Sequence, residues 1–202
     1  MIKVYDSLKD RMLAKEKSDR NFLLWIIFMV FLVAVIFFLN VYVFFYVQVD
    51  GESMLPTLQD EDVLVANKLK APKNGDIIII DGEKYNSITG EYELLIKRVI
   101  ATEGQTVEIK GGYVYVDGTK IIEPYLQEQG TTVSMGKTTW TLGEGEIFYL
   151  GDNRTNSNDS RYEPFGTCNK SQVIGVVSEW SLNVRWLNQF FQGVAKFFGG
   201  VR

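Results

Sequence analysis

One uninterrupted apolar segment constrains this chain more than any other feature of its sequence. Eighteen consecutive residues, Phe22–Leu39, carry no charge, no Gly and no Pro, and the indole of Trp25 is their one polar side-chain group. After Asn40 the apolar character resumes and continues to Val47. Eighteen helical residues are roughly 27 Å long and the extended segment roughly 39 Å, against a hydrocarbon core of ~30 Å in a bilayer. We therefore predict one transmembrane helix over residues 22–47.

Two other interpretations of this segment are disfavoured. A cleaved signal peptide has a shorter apolar region and a small-residue cleavage site, and no such site precedes Gly51. A buried core helix that is apolar on every face needs a large surrounding domain. The chain has 202 residues, which is enough for one globular domain and little more.

The charges on either side of the apolar segment indicate its orientation. Residues 1–21 contain six Lys or Arg and four acids, whereas Asp50–Asp62 contains five acids and no base. Positive residues favour the cytoplasmic side of a membrane. We predict that residues 1–21 are cytoplasmic, in a single-pass protein of the cell membrane, and that the chain after Val47 is extracytoplasmic. That external part carries 15 basic and 21 acidic residues, so a nucleic-acid partner, which requires a basic surface, is excluded.

The residues after the apolar segment have the pattern of a β domain. Short runs rich in Val, Ile and Tyr recur between turn signals such as Lys73-Asn74-Gly75, Gly111-Gly112 and Asp117-Gly118. These runs cover residues 62–69, 76–80, 92–102, 106–110, 113–117, 120–123, 146–151 and 172–180. We predict an all-β domain of coiled antiparallel sheets over residues 48–180, attached to one N-terminal transmembrane helix.

The last residues form a separate segment, 181–202. Its apolar side chains recur at helical spacing, and it contains Arg185, Lys196 and Arg202 but no acid. An amphipathic helix on the membrane surface is the interpretation we favour, and a helix packed on the core or a second, weak membrane span remain alternatives.

The sequence contains no histidine and one cysteine, Cys168. A Ser-His or Cys-His catalytic pair within the chain is therefore excluded, and the commonest transition-metal ligand is missing. Cys168 has no partner for an internal disulfide. We expect no metal or organic cofactor.

Three segments have compositions too specific for routine strands or loops. They are VDGESMLPTLQDEDVLVANK at 49–68, LLIKRVIATEGQTVEI at 94–109, and YLGDNRTNSNDSRYEPFG at 149–166. The first holds Ser53 a few residues beyond the apolar segment, and the second holds Lys97 in an apolar strand.

A serine nucleophile needs a base, and in a chain without histidine the candidates are carboxylates or a neutral lysine. A lysine with the ordinary pKa of ~10.4 is neutral in about one molecule in 2,500 at pH 7. Strand alternation places Leu95 and Val99 on the same sheet face as Lys97, and apolar surroundings disfavour the ammonium form. Taken singly, Lys97 also fits a solvent-facing lysine that protects a sheet edge, and Ser53 a turn cap before Pro56.

The apolar anchor, SMLPTL, IKRVIATEGQ and GDNRTNSNDSR, in this order and spacing, resemble the successive motifs of type I bacterial signal peptidases. These are membrane-bound serine proteases with a Ser-Lys dyad, and the short external domain is similar to the smaller Gram-positive enzymes. The resemblance implies that Ser53 is the nucleophile and Lys97 the general base. It further implies that the hydroxyl of Ser157 orients the lysine and that four charged residues organise the site: Asp159, Arg161, Asp152 and Arg154.

The resemblance also implies how substrate is bound. Some family members have a serine two residues before the nucleophile, whereas this chain has Gly51, so the oxyanion is expected to rest on the backbone N–H of Ser53. Gly51 and Met54 are the predicted substrate contacts. The implied partners are the signal peptides of preproteins, the lipid bilayer and the Sec translocon.

Three alternative functions share some of these features. A peptidase dedicated to pilins or to one export system would use the same dyad. A self-cleaving, repressor-like protease also uses a Ser-Lys dyad, but it carries a DNA-binding domain in place of the apolar segment. A non-catalytic, membrane-tethered chaperone of exported polypeptides would lack the serine or the lysine.

Overall fold

The computed structural model describes residues 2–86, 91–134, 136–163 and 165–182, and the chain divides into two compact units, residues 1–43 and 44–202. The first unit is a single helix and the second is built on β-sheets. Of the predicted C-terminal segment 181–202, residues 183–202 lie outside the described residues. Its amphipathic helix therefore stays a prediction.

Helix α1 runs without interruption over Ile2–Tyr42. Its apolar side chains between Phe22 and Tyr42 are largely exposed, and the amide of Asn40 donates to the backbone oxygen of Ile36 at 2.8 Å. Of the residues described, Lys17–Tyr42 is the one helical stretch long and apolar enough to cross a membrane. Residues 22–42 span roughly 32 Å, close to the thickness of a bilayer core at ~30 Å.

The predicted spanning helix is wrong at its outer end. Strand β1 is Phe44–Gln48, and it pairs with β2 in the second unit instead of continuing α1. Val47 and Val49 are buried in the domain core, and Phe45 packs against the same cluster. Residues 45, 47 and 49 therefore follow the two-residue period of a strand, and their apolar character belongs to the sheet rather than to the membrane.

The described part of the second unit contains eleven strands, and every pairing between them is antiparallel. After β1 they are β2 (Val63–Asn67), β3 (Ile77–Asn86), β4 (Glu91–Thr102), β5 (Thr106–Lys110), β6 (Tyr113–Val116), β7 (Thr119–Lys120), β8 (Thr139–Thr141), β9 (Glu146–Leu150), β10 (Cys168–Asn169) and β11 (Val173–Val177). A one-turn 3-10 helix, Lys170–Gln172, precedes β11, and a short helix α2, Glu179–Leu182, follows it.

Two antiparallel sheets result, which confirms the predicted fold class. The larger sheet has the order β1-β2-β11-β3-β4-β9-β10, and the smaller has the order β7-β6-β5-β8. Strands β1, β8 and β10 are additional to the predicted runs.

The larger sheet is covered by apolar side chains on both faces. Ile79 and Ile96 are paired residues of β3 and β4 and lie in one buried cluster with Met54. Leu95 and Val99 lie in a second cluster on the other face. A fully buried aliphatic side chain contributes roughly 1.5–3 kcal/mol, so both clusters stabilise the central strands. A third cluster joins the smaller sheet to β9 through Trp140 and Phe148, whose ring centroids are 4.8 Å apart.

The pairing of β4 with β9 brings together two of the three motif segments, residues 94–109 and 149–166. The two strands are neighbours, with Arg98 opposite Leu150. Lys97 therefore lies in β4 one residue before this pair, and the loop that begins at Gly151 starts one residue after it.

Candidate active site

The side chains of Ser53 and Lys97 meet, although 44 positions separate them in the chain. Lys97 Nζ lies 2.8 Å from Ser53 Oγ and donates to the backbone oxygen of Ile96 at 3.0 Å. Lys97 is 4% exposed, whereas Ser53 is half-buried. Burial disfavours the ammonium form because the charge loses its hydration. The pair thus combines a half-buried hydroxyl with a buried amine.

Hydrogen bonds to the loop after β9 fix the loop that carries Ser53. Asn153 donates its backbone N–H to the backbone oxygen of Ser53 at 3.0 Å and its side-chain amide to Glu52 O at 3.1 Å. The Leu55–Pro56 peptide bond is cis. The hydroxyl of Thr57 donates to a carboxylate oxygen of Asp152. The loop after β9 therefore holds the serine loop from two sides.

Gly151 permits this close approach. A Cβ atom at residue 151 would lie 2.2 Å from Ser157 Oγ, 2.5 Å from Ser157 Cβ and 2.5 Å from Ser53 O. Contacts this short do not occur between unbonded atoms, so a residue other than glycine would separate Ser157 from the backbone of Ser53.

Ser157, which the resemblance assigns to orienting the lysine, is buried between these groups. Its hydroxyl has no hydrogen-bond partner among the residues that the structure describes. It therefore makes no hydrogen bond to Lys97 here, and the orienting role stays a prediction. A buried hydroxyl without a partner costs free energy, which makes it unusual outside functional sites.

Asp159 and Arg161 form a buried ion pair that shapes the same loop. Arg161 donates Nε and Nη2 to the two carboxylate oxygens of Asp159 at 2.7 and 2.9 Å. Asp159 also accepts from the backbone N–H of Gly151 at 3.1 Å, and Arg161 Nη1 donates to Val133 O at 3.2 Å. The pair thereby ties both ends of the loop to each other.

Asp152 is engaged by the residue that follows the lysine. Arg98 donates Nε and Nη2 to the two carboxylate oxygens of Asp152 at 2.8 and 2.6 Å, and its guanidinium lies 3.9 Å from the ring centre of Tyr125. Burial works against the charge of Arg98, but the hydrogen bonds and the attraction to Asp152 outweigh it, so the pKa of Arg98 lies above its usual value. The pair connects the strand of Lys97 to the loop after β9.

Arg154 connects the loop to the segment between β7 and β8. It donates Nε to Gly151 O at 3.0 Å and Nη1 to Thr132 Oγ1 at 2.6 Å, and it forms a buried ion pair with Glu123. Glu123 also accepts from the hydroxyl of Tyr125 at 3.0 Å. Burial, followed by the Glu123 charge, raises the pKa of Tyr125, so this hydroxyl remains a donor at neutral pH.

The two predicted substrate contacts have different surroundings. Gly51 is exposed, with a φ of +91° that favours glycine, and its N–H donates to Asp60 Oδ1 at 2.9 Å. Met54 is 1% exposed and lies in the core cluster with Leu58. Met54 therefore presents almost no surface in this structure, and both substrate contacts stay predictions.

Several residues of the assembled site are not among those that the sequence predicts. Arg98 carried a signal, since it is a second charge in an apolar strand, and Thr57 and Asn153 lie inside the motifs. Glu123, Tyr125 and Thr132 carried none, because their partners are distant in sequence. Within the described ranges, no group of three or more Asp, Glu or Cys side chains is arranged to hold a metal ion.

Comparison with known proteins identifies a matching family, similar sequences and similar solved structures. The family model described as "Signal peptidase, peptidase S26" matches residues 22–181. A signal peptidase I of Bacillus caldolyticus is 35% identical over 178 residues, which cover 81% of this chain and 90% of that protein. A probable signal peptidase I-1 of Synechocystis is 38% identical over 134 residues, 63% of this chain and 65% of that protein. The crystal structure of a signal peptidase I from Enterococcus faecalis is 32% identical, with a TM-score of 0.43 over 54% of this chain and 98% of that one.

Proposed function

The chain belongs to the signal peptidase family, peptidase S26, and on this premise we propose that it removes signal peptides from exported preproteins with Ser53 as nucleophile and Lys97 as general base. The observation that carries the assignment of residues is the 2.8 Å distance between Lys97 Nζ and Ser53 Oγ, with the amine buried.

The reaction is hydrolysis of one peptide bond in two acyl transfers. Neutral Lys97 accepts the hydroxyl proton as Ser53 Oγ attacks the scissile carbonyl, and the ammonium so formed protonates the leaving amine when the C–N bond breaks. Water, deprotonated by the same amine, then attacks the ester and releases the signal peptide with its new carboxylate. The backbone N–H of Ser53 stabilises the oxyanion in each step.

The buried ion pairs act by positioning these groups. Asp152 binds both Arg98, which follows the base, and Thr57, which lies four residues after the nucleophile. Asn153 holds the backbone of Ser53 itself. A displacement of about 1 Å at a reacting group lowers rates by about a hundredfold, so this cross-linking supports the dyad geometry.

The apolar part of α1 supports anchoring in a membrane. We place residues before Phe22 in the cytoplasm and the β domain outside the cell membrane, because positive charges precede the helix and acids follow it. Residues 43–52 alone separate the end of α1 from Ser53. A preprotein whose apolar segment is still in the bilayer, delivered by the Sec translocon, would present its cleavage site close to the membrane surface.

Cleavage of a preprotein by the purified protein in detergent tests the function. The expected products are a free signal peptide and a mature chain, with the new N-terminus identified by mass spectrometry. Ser53→Ala should abolish cleavage, while Ser171→Ala, in the exposed turn before β11, should leave it unchanged. Residual cleavage at the same bond by Ser53→Ala would refute the assignment of the nucleophile.

Protease treatment of intact spheroplasts tests the orientation. The β domain should be degraded from outside while a tag at the N-terminus stays protected. Protection of the β domain together with loss of the tag would reverse the predicted topology.

A further inference from the structure

A polar cavity of about 440 Å³ adjoins the candidate active site and is not used by the dyad. Its lining combines the start of the loop after β9 with a segment between β7 and β8. The lining residues are Leu55, Gln127, Glu128, Thr131, Asp152, Asn153, Arg154 and Thr155. The volume is within the range of protein sites for small ligands and peptide segments.

Two lining residues connect the cavity to the nucleophile. Leu55 is two residues after Ser53, and Asn153 hydrogen-bonds the backbone oxygens of both Glu52 and Ser53. A polypeptide whose scissile carbonyl is at Ser53 Oγ therefore has this cavity beside it.

The polarity of the lining indicates which part of a substrate the cavity takes. Residues on the signal-peptide side of a cleavage site are small and apolar, and the apolar residue next to the nucleophile, Met54, belongs to the core cluster instead of this cavity. Seven of the eight lining residues are polar or charged. Such a lining suits the residues that follow the scissile bond, because these residues belong to the mature chain and are hydrated after release.

The charges of the lining residues indicate which substrate side chains the cavity favours. Asp152 is neutralised by Arg98, and Arg154 by Glu123. Glu128 is exposed, and its carboxylate forms no ion pair with any residue that the structure describes. The cavity therefore presents one uncompensated negative charge toward its occupant.

We propose that this cavity binds the first residues of the mature chain and that Glu128 favours a cationic side chain there over an anionic one. The proposal rests on the proposed function and deepens it, because it assigns a specificity determinant for the departing polypeptide. A partly exposed charge pair contributes little, so the expected preference is about two- to fivefold in kcat/KM at low salt.

Peptide substrates that carry Lys, Gln or Glu at each of the first three positions after the scissile bond test the preference. The wild-type protein should cleave the Lys series faster than the Glu series at one of these positions. Glu128→Gln should remove the difference, Glu128→Lys should reverse it, and Glu144→Gln, an exposed acid in the turn before β9, should preserve it. Added NaCl at about 0.5 M should weaken the preference because it screens exposed charges.

Binding of the same peptides to Ser53→Ala, measured by calorimetry, separates this inference from the proposed function. A Lys-over-Glu affinity ratio that disappears in the Ser53→Ala, Glu128→Gln double variant supports the cavity even if cleavage fails. Cleavage with equal rates and affinities for the three series, or a preference unchanged by both Glu128 substitutions, would overturn the inference and leave the proposed function intact.

Discussion

Substitution of Gly151 by alanine should disable the site while leaving the fold in place. The new Cβ would lie 2.2 Å from Ser157 Oγ and 2.5 Å from Ser53 O. Ordinary contact begins near ~3.5 Å, so one or both groups must move by about 1 Å. Rotation of the Ser157 hydroxyl does not relieve the overlap, because the Cβ atom of Ser157 is also 2.5 Å away.

The expected magnitude follows from this displacement. Movement of the nucleophile's backbone by about 1 Å should lower kcat/KM by about a hundredfold, or ~2.7 kcal/mol in activation free energy. The cost to folding is that of an overpacked core, about 1–3 kcal/mol in the free energy of unfolding. Both quantities come from one preparation, by peptide cleavage assays and urea denaturation.

Gly143, at the other end of β9, provides the matched control. An alanine Cβ there would be in ordinary contact, 3.4 Å from Glu146 Oε2. Gly143→Ala should therefore keep nearly full activity and stability. If Gly151→Ala retains cleavage within threefold of the wild type, on the order of 0.6 kcal/mol, then the close contact between the two loops does not position the nucleophile and the reasoning is refuted.

Two further predictions concern stability. Asp152→Asn leaves the Arg98 guanidinium buried without its carboxylate, which should lower the free energy of unfolding by about 3–5 kcal/mol in urea titrations. Glu103→Gln, which removes the charge of the exposed pair with Lys170, should change the free energy of unfolding far less. Equal losses in the two variants would contradict the importance of burial. Burial raises the pKa of the Cys168 thiol to about 12 and also raises the pKa of the Tyr149 hydroxyl. The folded-state pKa values of these two groups lie above their unfolded-state values. Their contribution to the free energy of unfolding is therefore complete below about pH 8.5 and is lost as the pH rises through the folded-state values. Urea unfolding at increasing pH should show this decline, and an unfolding free energy that increases above pH ~9 would contradict it.

The sequence predicted the β architecture because most strands obey a two-residue period between clear turns. The sequence predicts a membrane-spanning helix where strand β1 forms, because an all-apolar run such as VYVFFYV fits a helix and a buried strand equally well. Strands β8 and β10, with three and two residues, are too short to leave a pattern.

The candidate site was predictable where a residue and its neighbours in the sequence already indicate the chemistry. A lysine within an apolar strand and a serine in a chain without histidine are visible in one sequence. The partners of Asp152 and Arg154 are not, because Arg98 and Glu123 lie 54 and 31 positions away from them. The folded register of β4 and β9 brings Arg98 to Asp152, and the fold of the segment between β7 and β8 brings Glu123 to Arg154. The hydroxyl of Ser157, which has no hydrogen-bond partner among the described residues, likewise has no signature in the sequence.

The central claim is that the buried amine of Lys97 takes the proton from Ser53. The most direct test is the single-turnover rate of preprotein cleavage by Lys97→Met, which keeps an unbranched side chain of similar length but cannot accept a proton. We expect a loss of at least about a hundredfold, with substrate affinity and the urea midpoint close to those of the wild type. Cleavage by Lys97→Met within tenfold of the wild-type rate would contradict it.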